Sequence, residues 1–105
     1  MKRKVIKEVL MCRPLYYSIS YTINPWMIPG LENKSIAQTE WEKLVETLKK
    51  LHIRVDVIDQ KPNLPDMVFA TDQGIVYGKK VFMSNFRYRE RQGERKPYLE
   101  WFKNH

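Results

Sequence analysis

Ser35-Ile36-Ala37-Gln38-Thr39-Glu40-Trp41-Glu42-Lys43-Leu44-Val45-Glu46-Thr47-Leu48-Lys49-Lys50-Leu51 is the stretch from which the rest of the chain can be read. Ala37, Trp41, Leu44, Val45, Leu48 and Leu51 recur at intervals of three and four, which places them on one face of a helix over about residues 36–51. Glu40, Glu42, Lys43, Glu46, Lys49 and Lys50 take the other face, and Glu46 precedes Lys50 in the favourable i,i+4 order. Ser35 is read as the N-cap, with Gln38 closing a capping box. Acidic residues lead and lysines come late, which suits the helix dipole.

Strand signals flank this helix. Before it, residues 4–12 read as a first strand that Pro14 ends, because proline has no ladder donor. Leu15 to Ile19 is short and β-prone. From Ser20 to Asn33 the chain holds Asn24, Pro25, Pro29 and Gly30, yet Tyr21, Ile23, Trp26, Met27, Ile28 and Leu31 sit among these loop residues. So much apolar surface in a loop predicts packing against a ligand or another chain.

After the helix, Ile53 to Ile58 alternates as a strand. Residues 59–66 are turn-rich, and Met67-Val68-Phe69-Ala70-Thr71 reads as a short central strand. Ile75-Val76-Tyr77 and Val81-Phe82-Met83 flank Gly78-Lys79-Lys80 as a hairpin. Residues 84–93 are polar and irregular. A short second helix is expected over 94–103, with Pro97 in its first turn and Tyr98, Trp101 and Phe102 on its apolar face. The resulting order is β-β-α-β, a loop, then β-β-β-α. Both halves run from strands into a helix, and the second lacks a closing strand, which leaves an edge another chain can cover.

The bulk numbers bound the function. The 105 residues suffice for one α/β domain and not two. At 43% hydrophobic, 30% charged and 12% aromatic, disorder is excluded as a reading of the whole chain. No apolar run approaches the roughly 20 residues needed to cross a bilayer. Val5 to Leu10 is too short and too charged for a signal-peptide core, so a cytoplasmic location is expected. A single cysteine, Cys12, fits a reducing compartment. The net charge of +7 raises a basic nucleic-acid-binding protein as an alternative. That charge gathers at Lys2, Arg3, Lys4 and Lys7 and again at Arg87, Arg89, Arg91, Arg95 and Lys96, where Glu90, Glu94 and Glu100 dilute it, so nucleic acid is not the favoured partner.

Familiar catalytic sets are missing. Cys12 reads as a small buried hydrophobe beside Met11, and His52 as a residue that favours the helix dipole or touches the last carbonyls. His105 is terminal and expected to be mobile. Cys12, His52 and His105 have no metal-ligand spacing, so no metal and no cofactor are expected. Asp66 and Asp72 bracket the apolar run at 67–71; carboxylates there can cap turns or bind a guanidinium-like cation. Arg91, among Arg87, Arg89 and Arg95, is either one charge of a solvated loop or a clamp for a carboxylate.

Leu64-Pro65-Asp66-Met67-Val68-Phe69-Ala70-Thr71-Asp72-Gln73-Gly74 resembles an early segment of the guanidine-modifying superfamily of arginine deiminases, dimethylarginine dimethylaminohydrolases and amidinotransferases. Met11 to Pro14, Ile23 to Met27, Phe86 to Glu94 and Tyr98 to Phe102 agree in the same order, so the resemblance spans most of residues 9–103. It implies a partial pentein-type α/β propeller with ββαβ-like repeats around a substrate channel. The first blade would occupy about 4–58 and a second, incomplete blade about 64–105, in a single truncated domain. It also implies chemistry at a guanidinium carbon through a covalent intermediate on a cysteine.

By resemblance, Asp66 lies near the substrate guanidinium and Asp72 in the same polar cluster. Arg91 corresponds to an arginine that contacts the substrate carboxylate, and Asn24 lies in the loop at the channel mouth. Thr71 stands where some relatives carry an acid. The family's catalytic histidine lies near mid-chain and its nucleophilic cysteine near the C-terminus, and neither Cys12 nor His52 matches them. The expectation is a non-catalytic or split-subunit member that carries substrate-side residues. Its partners would be a second copy, a complementary C-terminal subunit, or a guanidinium-containing small molecule. A stand-alone small-molecule or protein-binding module is the other alternative.

Overall fold

The computed structural model describes residues 5–105, so the basic residues Lys2, Arg3 and Lys4, and the start of the expected first strand, lie outside the described residues. Strand β1 (Glu8–Arg13) pairs in parallel with β2 (Arg54–Asp59), Cys12 opposite Ile58, and the helix α1 (Lys34–Lys50) makes the crossover between them. Two one-turn 3-10 segments follow, Pro65–Val68 and Ala70–Gln73. Then come an antiparallel hairpin of β3 (Gly74–Tyr77) and β4 (Lys80–Met83), a single turn α2 (Arg89–Gln92), and the helix α3 (Arg95–Lys103).

This order departs from the expected β-β-α-β, β-β-β-α by adding the turn α2 within residues 84–93, expected to be irregular, and at two further stretches. Residues 15–19 are not a strand; the Tyr16 N–H is instead taken by the side chain of Gln60 at 2.6 Å. The run Met67 to Thr71 is not a central strand either. Its backbone closes 3-10 turns, Phe69 N–H to Asp66 O and Asp72 N–H to Phe69 O, and Met67 O accepts the Tyr98 hydroxyl at 2.6 Å, while the preceding Asp66 O also accepts Arg91 Nη2 at 3.2 Å. Pro65 at the first helical position favours a turn there, and an apolar run of that length carries no periodicity to choose between helix and strand.

Helix α1 forms as the periodicity predicts, but starts two residues earlier and under a different cap. Asn33 Oδ1 accepts the N–H of Ile36 at 3.0 Å, so Asn33 and not Ser35 is the N-cap. Asparagine is as good a cap as serine, and Gln38 reaches forward to Glu42 instead of back. The first turn carries no acid, while Lys49 and Lys50 do occupy the last, and Lys50 pairs with Glu46 at 3.3 Å. The helix ends in a tight wrap: His52 N–H bonds to Lys49 O and Ile53 N–H to Leu48 O. His52 accordingly takes a left-handed φ of 60°, and it is its backbone, not its ring, that meets the last carbonyls. That wrap lets β2 start almost at once.

No residue of α1 is fully buried; Leu44, placed on the apolar face by its spacing, is half exposed. The core lies instead between the β1–β2 pair, the 3-10 turns and α3. Cys12, Ile58, Met67 and Tyr98 are buried together, with Leu10, Leu64, Ala70, Met83, Trp101 and Phe102 packed around them. Tyr98, Trp101 and Phe102 thus form the inner face of α3, as expected. In the hairpin, Gly78 takes φ 60° at the first position of the two-residue turn, which glycine does without strain. Gly74 has no room for a side chain, because a Cβ there would stand 2.7 Å from Phe82 O. His105 is not free: its ring stacks on Trp101 at 4.1 Å.

Candidate functional site

The 3-10 turns and α2 bring three of the four expected site residues to one hub. Arg91, the third residue of α2, is its centre. Its Nε donates to Glu94 Oε2 at 3.0 Å, and Nη2 donates to Glu94 Oε1 at 2.9 Å and to Asp66 O at 3.2 Å. Nη1 donates to Asp72 Oδ2 at 3.1 Å, and the guanidinium lies 4.3 Å from the centre of the Phe86 ring. Burial opposes the guanidinium charge, but Glu94 and Asp72 outweigh it and hold Arg91 above its ordinary pKa.

Asp66 joins the hub by its backbone. Its carboxylate turns to the 16–21 loop, where Oδ2 accepts the Tyr21 hydroxyl at 2.5 Å. Burial and this carboxylate push the Tyr21 phenol far up, so Tyr21 stays a donor. Burial, Asp66 and Glu32 likewise raise Tyr17. Asp72 is the open side of the hub: its side chain is 46% exposed against 12% for Arg91. Asn24, the fourth expected residue, is not brought into it. Its Oδ1 accepts the Trp26 N–H at 3.0 Å and shapes its own loop, and among the described residues no hydrogen bond or ion pair joins it to Asp66, Asp72 or Arg91.

Three residues of the hub were not anticipated. Glu94, read as diluting the basic cluster, is wholly buried and holds Arg91 by two bonds. The i,i+3 spacing of Arg91 and Glu94 was the available signal. Gln73 is buried behind Glu94, donating Nε2 to Glu94 Oε1 at 2.9 Å, while its Oε1 has no partner among the described residues. Tyr21 is the third, and neither Tyr21 nor Gln73 had a local sequence signal.

A guanidinium has five N–H donors, and Arg91 commits four of them within the chain. One Nη1 hydrogen remains, beside the exposed Asp72 carboxylate. The hub can therefore offer one donor to an anionic group and one half-exposed carboxylate to a cationic one. Among the described residues it holds no cysteine. Cys12 is 1% exposed and burial pushes its thiol up to about 11, the opposite of an activated thiolate.

The family model described as N,N dimethylarginine dimethylhydrolase, eukaryotic, matches residues 18–105. The chain belongs to this family. It lies within the guanidine-modifying superfamily, as the ordered segments imply, and corresponds to the N-terminal part of its members. An uncharacterized protein of Caenorhabditis elegans is 41% identical over 99 residues, covering 94% of this chain and 35% of its own length. The bifunctional arginine dihydrolase/ornithine cyclodeaminase ArgZ of Synechocystis is 40% identical over 97 residues, covering 90% of this chain and 14% of its own. The crystal structure of the N-terminal domain of ArgZ, bound to product, superposes with a TM-score of 0.90 at 36% identity, over 95% of this chain and 37% of that one. The α/β fold thus matches part of that domain, and this dimethylarginine dimethylhydrolase-family chain spans about a third or less of the length of these relatives. No helix among its described residues is long and apolar enough to cross a membrane.

Proposed function

We propose that these residues are the substrate-side portion of a guanidine-modifying enzyme, a partial pentein-type propeller. Asp66, Asp72, Arg91 and Asn24 face a guanidinium compound, and the nucleophilic cysteine and the histidine come from outside the 105 residues. The observation that carries this reading is the hub's open side, where Arg91 keeps one uncommitted Nη1 donor next to the half-exposed Asp72 carboxylate. An α-amino acid with a guanidinium side chain presents the two matching charges. Asp72 takes the cation by charge-assisted hydrogen bonds, and the remaining Nη1 donor takes one carboxylate oxygen. Glu94 holds Arg91 in place, and Tyr21 steers the Asp66 carboxylate.

Nucleophilic chemistry at a guanidinium carbon needs a thiolate and a proton carrier positioned together. With Cys12 buried and protonated, this chain alone binds but does not react. A complementary C-terminal subunit, or residues continuing the same chain, would complete a guanidino-group hydrolase or amidinotransferase. ArgZ, a relative in which the matching part is an N-terminal domain, is described as an arginine dihydrolase, which supports that reading.

The test is release of citrulline, ornithine or amine from L-arginine and its methylated forms. The 105-residue chain is assayed alone and then with a complementary C-terminal segment, its assembly state followed by light scattering. The expected result is no turnover alone, turnover with the complement, and a dimer or larger particle. Turnover by an isolated monomer would sink the proposal.

A further inference from the structure

A cavity of about 450 Å³ lies between the 16–21 loop and the 60–65 loop, beside the Arg91 hub. Pockets for small ligands run from about 300 to 1,000 Å³, so it is large enough for an amino acid. Tyr16 and Tyr21 wall one side and Asn63 and Pro65 the other; Lys34, from the start of α1, and Glu90, from α2, also line it. None of Asp66, Asp72, Arg91 or Asn24 does. Tyr21 is the partition, since it lines the cavity while its hydroxyl points to Asp66.

Both walls hang from one buried side chain. Gln60 Oε1 accepts the Tyr16 N–H at 2.6 Å, and Gln60 Nε2 donates to Leu64 O at 2.9 Å and Pro65 O at 3.1 Å. Asn63 takes a left-handed φ of 65°, a conformation that asparagine tolerates better than most residues. The cavity is therefore shaped before any ligand enters, which lowers the entropic cost of binding. Lys34 and Glu90 bring opposite charges to this one cavity, yet neither makes an ion pair or hydrogen bond among the described residues. Opposite charges that share a cavity without neutralising each other are matched by a ligand that carries both.

We infer that this cavity is a second ligand site, for a small zwitterion whose carboxylate meets Lys34 and whose amine or guanidine meets Glu90, with the Tyr16 and Tyr21 rings against its aliphatic stem. The inference does not depend on the chemistry proposed for the Arg91 hub, and its test reads the two sites separately.

The full chain is titrated with L-arginine as the probe, with agmatine as its carboxylate-free analogue, while NMR follows the amides of Tyr16 and Asn63 and, independently, Arg91 Nε. Saturable shifts at Tyr16 and Asn63 are expected. Lys34→Gln should weaken L-arginine binding there at least fivefold and leave agmatine unmoved, whereas Glu90→Gln should weaken both ligands. Lys34 and Glu90 are exposed, so the amide spectra of both variants should retain the wild-type pattern. Shifts confined to Arg91 Nε would overturn the inference and leave the hub reading intact. No shifts at Tyr16 and Asn63, or shifts there that ignore both substitutions, would overturn it equally.

Discussion

The Arg91 hub and the β3–β4 hairpin adjoin in sequence and are built on opposite terms. In the hub, Glu94 and Gln73 are buried and Arg91 nearly so, and four Arg91 donors are committed. In the hairpin, Ile75 and Phe82 stand opposite each other on one face, 74% and 81% exposed. A chain that hides charges and shows hydrocarbon inverts the ordinary partition of side chains. With Cys12, Ile58, Met67 and Tyr98 as the buried apolar core among the described residues, the local fold leans on the polar network. The regular elements are left with apolar faces to cover. The hub is finished within these residues, and the hairpin is not.

The most direct way to break that contrast is Glu94→Ala. It leaves the Arg91 guanidinium mostly buried with Asp72 as its sole ion partner. Removing one member of a buried pair costs about 3–5 kcal/mol, and a loss of that size is expected in the urea unfolding free energy. A loss below about 1 kcal/mol, the range of exposed pairs, would mean that the hub is solvated and that its difference from the surface is illusory.

Next in size is a pH effect confined to the same interior. Burial pushes the Cys12 thiol up from 9.0 to about 11, and burial with Cys12 beside it pushes the Tyr98 phenol up as well. Both groups stay neutral in the folded chain at a pH where the unfolded chain has begun to ionise. Their contribution is fully present below pH 9 and is lost as the pH rises toward 11 and beyond. The thiol alone accounts for roughly 2–3 kcal/mol at about 1.4 kcal/mol per unit. Unfolding midpoints between pH 8 and pH 11 should fall accordingly, and Cys12→Ala should flatten part of that slope. An unchanged slope in Cys12→Ala would place the alkaline loss elsewhere.

The sequence was informative where a period or a turn rule applied. Helix α1 followed from the three-and-four spacing of Trp41, Val45 and Leu48, the hairpin from Gly78-Lys79, and the inner face of α3 from Tyr98, Trp101 and Phe102. The 67–71 run is a pair of 3-10 turns and not a strand, and two carbonyls at its start, Asp66 O and Met67 O, are held by the side chains of Arg91 and Tyr98, 25 and 31 residues away. No local pattern encodes such distant bonds. The same limit governs the hub: Asp66, Asp72 and Arg91 could be named as charged residues in suggestive places, but not their mutual pairing. That pairing turned Arg91 from a free two-pronged clamp into a braced residue with one donor to spare. Asn24 differs from them: the resemblance carries it to the site, and its Oδ1 accepts the Trp26 N–H within its own loop.

The smallest expected change in stability tests the unfinished half. Phe82→Thr combined with Ile75→Thr removes apolar surface from the hairpin and leaves β-branched threonines that suit a strand. Both positions are mostly exposed, so the unfolding free energy should stay within about 0.5 kcal/mol. The sheet itself is a bare two-stranded ribbon, and such ribbons are marginal alone. If a second copy or a complementary segment covers this face, the double variant should shift the light-scattering mass toward the monomer with almost no change in fold. Should the mass stay at the wild-type value while stability holds, the association surface must lie elsewhere. The exposed Trp26 and Leu31 of the 21–31 loop would then be the next surface to substitute. If instead the variant unfolds, the hairpin face is already engaged within the chain, and the contrast between a finished hub and an unfinished sheet fails.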